Sequence, residues 1–219
     1  MILTDPALIL KKDQFNEIYK HLHPGIRSHG TRLGIGTGVM AKRHQDRICQ
    51  SYGLPASLFE AAIMSGGSYH DIGKSFLSSS ILERSDRLSD IEKEAFSRHP
   101  KYTAELLREY ADVLFESEGE KQIALDMALY HHERHDGGGY PGGLKGDGIP
   151  FIAQLCALLN TLDQELIVGR RRNPFDPAAD KLIKQGGSRF SPEAITCFTQ
   201  SRDAIKQLYE SKNSWLTGI

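Results

Sequence analysis

Apolar residues recur at helical spacing along nearly the whole sequence, and this periodicity restricts the chain to an all-α fold. No convincing run of alternating β-branched residues interrupts it, so the pattern predicts no sheet. Helices are predicted over residues 13–22, 27–52, 55–71, 89–96, 99–115, 119–134, 151–168, 177–186 and 191–211. The sequence DGGGYPGGLKGDGIP, residues 136–150, is crowded with glycine and proline, so it predicts one long loop near the middle of the chain.

The predicted helix over 27–52 contains an unusual number of glycines, namely Gly30, Gly34, Gly36 and Gly38. Each glycine costs about 1 kcal/mol relative to alanine inside a helix. Two interpretations account for them. Either the helix is broken here, or another element packs so closely that a side chain would not fit.

Charge and composition exclude several classes of protein. The 219 residues include 27 Lys and Arg against 28 Asp and Glu, a formal net charge of −1, so no basic field exists to hold a nucleic-acid polymer. A local site for a small phosphate ligand is compatible with this charge. The three cysteines form no CxxC pair, and neither a signal peptide nor a run of about 18 apolar residues is found. We therefore expect a cytoplasmic protein with reduced thiols and no membrane partner.

Two pairs of adjacent residues, one His-Asp and one His-His, carry the clearest chemical signal. His70 precedes Asp71, and His131 precedes His132. Adjacent helical residues point about 100° apart, so each doublet is suited to two neighbouring metal ions, with the carboxylate of Asp71 bridging them. Two ions about 3.5–4 Å apart activate a water and bind the attacking and leaving oxygens at phosphorus. Lys74 could reach a phosphate oxygen at such a site, and the pattern therefore indicates phosphoester hydrolysis.

The motifs around these doublets are more specific. The chain resembles the HD-GYP branch of the HD superfamily of metal-dependent phosphohydrolases, over roughly residues 25–200. The segment His70-Asp71-Ile72-Gly73-Lys74 matches the HD signature. The second signature is matched by His131-His132-Glu133, Asp136-Gly137, Gly139-Tyr140-Pro141, Gly143-Leu144, Gly146 and Ile149-Pro150. The resemblance implies one HD-superfamily helical bundle over 1–219, with a short N-terminal helical appendage, C-terminal helices and a functional loop at 136–150, here called the GYP loop.

The resemblance also implies an activity, namely hydrolysis of cyclic di-GMP, or a related cyclic dinucleotide, to pGpG or GMP. It implies a binuclear centre of divalent transition metal ions, with iron or manganese favoured and nickel or zinc as alternatives. It further implies catalytic roles for Asp71 and Lys74, substrate contacts from Lys74 and Tyr140, and a signalling protein that binds the GYP loop. The metal ligands that it implies directly are His70, Asp71, His99, His131 and His132.

The chain departs from the family pattern at the first and last metal ligands. His29 fits the local pattern of the first ligand better than His44, although the segment from His29 to Gly53 is longer than usual. A glutamate ligand of trinuclear members is replaced by Gly25, so a third metal is not expected. The last ligand, an aspartate in the family, is Asn160 here, and Asp163 lies three residues further on.

Three interpretations follow from Asn160. Asn160 is a weak ligand, Asp163 replaces it, or one metal is held poorly. The clustered basic residues Arg170, Arg171 and Arg172 stand where the family has spaced phosphate-binding residues, so Arg170 and Arg172 are candidate substrate ligands. Two alternative functions remain open: a catalytically weak or inactive nucleotide-binding signalling domain, and an HD phosphohydrolase that acts on another nucleotide.

Overall fold

The computed structural model describes residues 5–84, 87–168 and 174–211, and within these ranges it contains α-helices and no strand. This result confirms the predicted all-α fold class. The α-helices are α1 (Pro6–His21), α2 (Pro24–Ala41), α3 (Gln45–Tyr52), α4 (Phe59–Tyr69), α5 (Ser79–Glu83), α6 (Asp90–Phe96), α7 (His99–Glu109), α8 (Ala111–Leu114), α9 (Glu118–Tyr130), α10 (Phe151–Asp163), α11 (Phe175–Ile183) and α12 (Pro192–Glu210). Short 3-10 helices lie at Lys42–His44, Ala56–Leu58, Ile72–Phe76 and Gly146–Gly148, and a π-helical turn at Gln164–Val168 follows α10.

Helix α10 forms the centre of the main hydrophobic core. It is apolar on nearly every face, and α2, α9, α11 and α12 pack around it. Its side chains Leu155, Leu158, Leu159 and Leu162 are fully buried. A helix with apolar residues on all sides is stable only when neighbours cover it completely. The polar residues in the last turn of α10, Asn160, Thr161 and Asp163, are therefore buried as well.

The glycines of α2 are explained by its contact with α4. A Cβ atom added to Gly67 would lie 2.3 Å from the backbone of Gly34, and one added to Gly30 would lie 2.8 Å from the carbonyl oxygen of Ser68. The two backbones thus meet where a side chain would not fit, as the second interpretation proposed. The predicted helix over 27–52 is nevertheless also divided, because it comprises α2, the 3-10 turn and α3.

Local sequence signals set most helix ends. Ser89 forms the expected capping box with Glu92 at the start of α6. The first helix is longer than the sequence predicts, because Asp5 rather than Asp13 caps it. Helix α4 ends at Tyr69, which leaves the following His70–Asp71 pair outside regular α-helical geometry.

The N-terminal helix packs close to that pair. Phe15 on α1 is buried, with its ring centroid 5.2 Å from that of Tyr69 and 5.5 Å from that of Tyr110. Ile72, directly after the His70–Asp71 pair, belongs to the same small hydrophobic cluster. None of the helices in the described ranges has the length and apolar character needed to cross a lipid bilayer.

Candidate metal centre

The carboxylate of Asp71 lies between two pairs of histidines. Its Oδ2 atom is 3.3 Å from Nε2 of His70 and 3.8 Å from Nε2 of His29. Its Oδ1 atom is 3.1 Å from Nε2 of His99 and 3.7 Å from Nε2 of His131. Because α4 ends just before this pair, the adjacent His70 and Asp71 side chains converge instead of diverging around a helix. Each carboxylate oxygen therefore faces its own pair of imidazoles.

Backbone carbonyls fix the protonation of three of these rings. Nδ1 of His70 donates to Gly67 O (2.7 Å), Nδ1 of His99 to Phe96 O (2.6 Å), and Nδ1 of His131 to Met127 O and Ala128 O (2.9 and 3.0 Å). A carbonyl oxygen only accepts, so the proton is on Nδ1 and the Nε2 lone pair is left for a metal. This second hydrogen bond is the usual support of a metal-binding histidine.

The ring of His29 is oriented by a carboxylate instead. Its Nδ1 atom lies 2.7 Å from Oδ2 of Asp163, and Asp163 also accepts from Arg32 through Nε (2.6 Å) and Nη2 (2.9 Å). Burial alone would raise the pKa of Asp163, but Arg32 and His29 hold that pKa below its ordinary value. Both oxygens of Asp163 are thus occupied by protein groups. The structure places Asp163 at the Nδ1 side of His29, whose Nε2 atom faces Asp71.

Two compact groups of possible ligands result. One comprises His29, His70 and Asp71, the other His99, His131 and His132, and within each group the donor atoms lie within 4.8 Å of one another. Nε2 of His132 is 3.2 Å from Nε2 of His99.

The GYP loop closes one side of the second group. The ring of Tyr140 stacks on that of His132 at 4.6 Å with an interplanar angle of 21°. Burial raises the pKa of the Tyr140 hydroxyl, so this side chain is neutral at pH 7. Tyr140 therefore covers His132 without adding a charge to the centre.

The protonation states of the buried side chains favour the binding of cations at the centre. Burial lowers the pKa of His99, His131 and His132, which leaves their nitrogens neutral at pH 7. Burial would raise the pKa of Asp71, but the neighbouring His70 and Lys74 hold it well below its ordinary value. The Lys74 Nζ atom lies 2.5 Å from Asp71 Oδ2. The result is a carboxylate anion at Asp71 beside the neutral imidazoles of His99, His131 and His132.

These residues fit a divalent metal. In the described part of the chain, the buried atoms His70 Nε2, Asp71 Oδ1 and His131 Nε2 have no hydrogen-bond partner. A buried polar atom left unpaired costs about 1–3 kcal/mol. Lone pairs of Nε2 and of carboxylate oxygen face each other here, an arrangement that a cation between them makes favourable. Imidazole and carboxylate together suit first-row transition metals.

The other residues singled out in the sequence are Asn160, His44 and the three clustered arginines. Asn160 is buried on α10, one turn before Asp163, and its Oδ1 accepts from Nε2 of Gln164 (3.3 Å). Nε2 of His44 lies 3.2 Å from Sγ of Cys197, so His29 rather than His44 joins the centre. Arg170, Arg171 and Arg172 lie outside the described residues.

Three supporting residues were missed at the sequence level. Arg32 is the partner of Asp163, and its position one turn after His29 on α2 was the available signal. Phe96 orients His99 through its backbone carbonyl, which no sequence pattern reveals. The buried Glu133 accepts from the backbone nitrogens of Gly142 (2.6 Å) and Leu144 (3.1 Å), and so folds the GYP loop back toward the histidine doublet.

Comparison with known proteins agrees with this geometry. The family described as HD domain matches residues 31–194. The 3'3'-cGAMP-specific phosphodiesterase 2 of Vibrio cholerae is 31% identical over 176 residues, which are 76% of this chain and 32% of that protein. The cyclic di-GMP phosphodiesterase response regulator RpfG of Xanthomonas campestris is 31% identical over 141 residues, 64% of this chain and 36% of that protein.

A third relative is the cyclic di-GMP phosphodiesterase of Thermotoga maritima. It is 30% identical over 168 residues, which are 74% of this chain and 43% of that protein. The chain thus spans less than half the length of each of these relatives.

Proposed function

This chain belongs to the HD domain family, and we propose that it is a metal-dependent phosphodiesterase that hydrolyses cyclic di-GMP, or a related cyclic dinucleotide, to pGpG or GMP. The observation that carries the proposal is the position of Asp71, whose two oxygens each face a different pair of histidines. Such a carboxylate is suited to bridge two cations. The substrate class is supported by the names of the relatives, which are phosphodiesterases for cyclic di-GMP or 3'3'-cGAMP.

The centre would hold two divalent transition metal ions, iron or manganese by preference, with nickel or zinc as alternatives. One ion would bind to His29, His70 and Asp71, and the other to His99, His131 and His132 together with the shared Asp71. When bound, such ions polarise phosphoryl oxygens and lower the pKa of a coordinated water. A third ion is not part of the proposal, because Gly25 offers no side-chain ligand.

The protein groups would complete the site. The ammonium of Lys74 lies beside Asp71 at the edge of the centre, where it can bind the non-bridging oxygens of the scissile phosphate and stabilise the charge that develops there. Tyr140 would limit the space next to His132 and contact the substrate. Arg170 and Arg172 are proposed as further phosphate contacts. A signalling protein that binds the GYP loop would act on the same Tyr140 contact.

One observation favours a second candidate, a nucleotide-binding signalling domain with weak or no catalysis. Asn160 supplies a neutral amide where the family pattern has a carboxylate, and a hard cation binds less tightly to a neutral oxygen. In that case the protein would bind the dinucleotide and report it to a partner. Hydrolysis of another nucleotide is a third alternative, which the complete GYP loop motif disfavours.

The test is a turnover assay under anaerobic conditions. Protein supplied with Fe(II) or Mn(II) is incubated with cyclic di-GMP and, separately, with 3'3'-cGAMP, and products are separated by chromatography. We expect linear products that disappear in Asp71→Asn. The matched control is Asp126→Asn, because Asp126 is also buried but accepts hydrogen bonds from Tyr52 and Gln122 and belongs to neither ligand group. Bound metal and bound dinucleotide without any product would instead support the second candidate.

A further inference from the structure

Three aromatic residues lie within three positions of Lys74 or His99 in the sequence, and one of them is largely exposed. Phe76 ends the 3-10 helix that also carries Lys74, and 59% of its surface is exposed to solvent. Its ring meets that of Tyr102 on α7 edge-on, with a centroid distance of 5.7 Å. Phe96 at the end of α6 is the third ring. We call Phe76, Phe96 and Tyr102 the aromatic ledge.

The aromatic ledge begins at residues of the centre itself. The ring of Phe96 lies 5.0 Å from that of His99, and the Nζ atom of Lys74 lies 5.4 Å from the Phe96 ring centroid. Tyr102 follows His99 by three residues on α7, which places both on the same side of the helix. Phe96 therefore borders the centre, and Phe76 lies two residues after Lys74 on the same 3-10 helix.

An exposed aromatic ring near a cation that could hold a phosphate has a specific chemical use. Nucleobases stack on aromatic side chains, and such stacking tolerates different bases because every base has a π face. In a nucleotide the base lies a sugar away from the phosphate, so a phosphate held at Lys74 brings a base to this edge. A protein partner would gain no comparable advantage from the adjacent centre.

We propose that the aromatic ledge binds one purine base of the substrate, with Phe76 as the stacking face. This proposal rests on the proposed function, since it takes the substrate to be a dinucleotide. It also has a consequence for specificity. Stacking alone does not distinguish guanine from adenine, so the ledge would favour dinucleotides over smaller phosphodiesters without selecting between cyclic di-GMP and 3'3'-cGAMP.

The test separates base binding from phosphate binding. Titration calorimetry of the manganese-loaded protein measures the affinity for GMP and for ribose 5-phosphate, which has the sugar and phosphate but no base. We expect Phe76→Ala to weaken GMP binding about tenfold, equivalent to about 1.4 kcal/mol, and to leave ribose 5-phosphate binding unchanged. Phe76→Trp should restore GMP binding. In turnover, Phe76→Ala should raise KM for both cyclic dinucleotides more than it lowers kcat.

The control is Leu10→Ala, which truncates an apolar side chain of nearly equal exposure (61%) on α1 and should change neither affinity. Because Phe76 is exposed, its removal should alter stability by no more than about 0.5 kcal/mol. The proposal is overturned if Phe76→Ala leaves GMP affinity within twofold of the parent, or weakens both ligands equally. If the protein does not cleave cyclic dinucleotides, but Phe76→Ala still weakens GMP binding and leaves ribose 5-phosphate binding unchanged, the aromatic ledge is supported. Only the proposed function is then refuted.

Discussion

The carboxylate of Asp163 lies 2.7 Å from Nδ1 of His29 and holds the Nε2 edge of that ring toward Asp71. These two residues are separated by 134 positions in the sequence. Arg32 binds both oxygens of the same carboxylate and completes a buried chain of polar groups from α2 to α10. We therefore regard Asp163 as a positioning residue, which acts on the centre through His29.

Replacement of Asp163 by asparagine should weaken metal binding. Asp163→Asn keeps the shape of the side chain but removes the charge that Arg32 and His29 share. Loss of a supporting group of this kind lowers metal affinity about 10–100-fold. The buried Arg32 would lose its partner, so the free energy of unfolding should fall by about 3–5 kcal/mol. Metal titration and urea unfolding measure the two effects.

Asp126→Asn is the control for this prediction. Asp126 accepts hydrogen bonds from Tyr52 and Gln122 and is not one of the candidate ligands. Its replacement should lower stability and leave metal affinity unchanged. Equal metal affinities in the Asp163→Asn and Asp126→Asn variants would contradict the positioning role.

Introduction of a carboxylate at Asn160 should strengthen the centre. Asn160→Asp adds a charged oxygen ligand at the position where the family pattern has aspartate, and charged oxygen ligands bind divalent cations more tightly than amide oxygens. We expect a higher metal content after dialysis and a higher kcat. Gln154→Glu is a suitable control, since it adds a negative charge to the same helix at a side chain that donates to the carbonyl oxygen of Ile149. If both variants behave like the parent protein, Asn160 has no part in metal binding.

Metal removal should destabilise the protein. Without a cation, buried nitrogen and oxygen lone pairs face each other around Asp71. A metal present at 100 times its Kd stabilises the folded state by about 2.7 kcal/mol. Chelation should therefore lower the Tm, and Mn(II) should restore it. The shift should vanish in His70→Ala and persist in His44→Ala, because His44 lies outside both ligand groups.

The stability of the metal-free protein should fall in mild acid. Burial lowers the pKa of His29, His99, His131 and His132 in the folded state, whereas unfolded histidine titrates near pH 6.5. Below about pH 6.5 the unfolded state binds more protons, so the free energy of unfolding decreases as pH falls and is fully retained above that value. Each of these histidines contributes at most about 1.4 kcal/mol per pH unit.

Urea unfolding with a chelator, at about pH 7 and about pH 5.5, measures this slope. His131→Asn should make the slope shallower, since one buried histidine is removed. His21→Gln should not, because His21 is exposed on α1. A parent protein equally stable at both pH values would refute the prediction.

Glu133 should hold the GYP loop in place. Its two oxygens accept backbone hydrogen bonds from Gly142 and Leu144, and a hydrogen bond to a charged group contributes about 1.5–3 kcal/mol. Glu133→Gln should make the loop more sensitive to limited proteolysis and should lower substrate affinity by loosening Tyr140. Glu118→Gln, an exposed change on α9, is the control. Unchanged cleavage in both variants would show that Glu133 does not order the loop.

Local signals account for what the sequence predicted correctly. Helical periodicity, the capping box at Ser89 and the glycine-rich motif of the GYP loop act over a few residues, so they can be recognised without tertiary information. The doublets at His70 and His131 indicated metal chemistry for the same reason. Boundaries were less accurate: the predicted helix over 27–52 is divided by a 3-10 turn, and the first helix begins earlier than expected.

Only the tertiary structure decided which distant residues meet at the candidate metal centre. The close approach of α2 and α4 at Gly34 and Gly67 is what brings His29, rather than His44, to Asp71. The division of the two Asp71 oxygens between two pairs of histidines depends on helices packed from four parts of the chain. The sequence could not decide whether Asp163 or Asn160 is the last metal ligand. In the structure, the buried Arg32 donates to both oxygens of the Asp163 carboxylate. Proximity between distant residues arises from burial and close packing of whole helix faces, and no spacing along the chain encodes it.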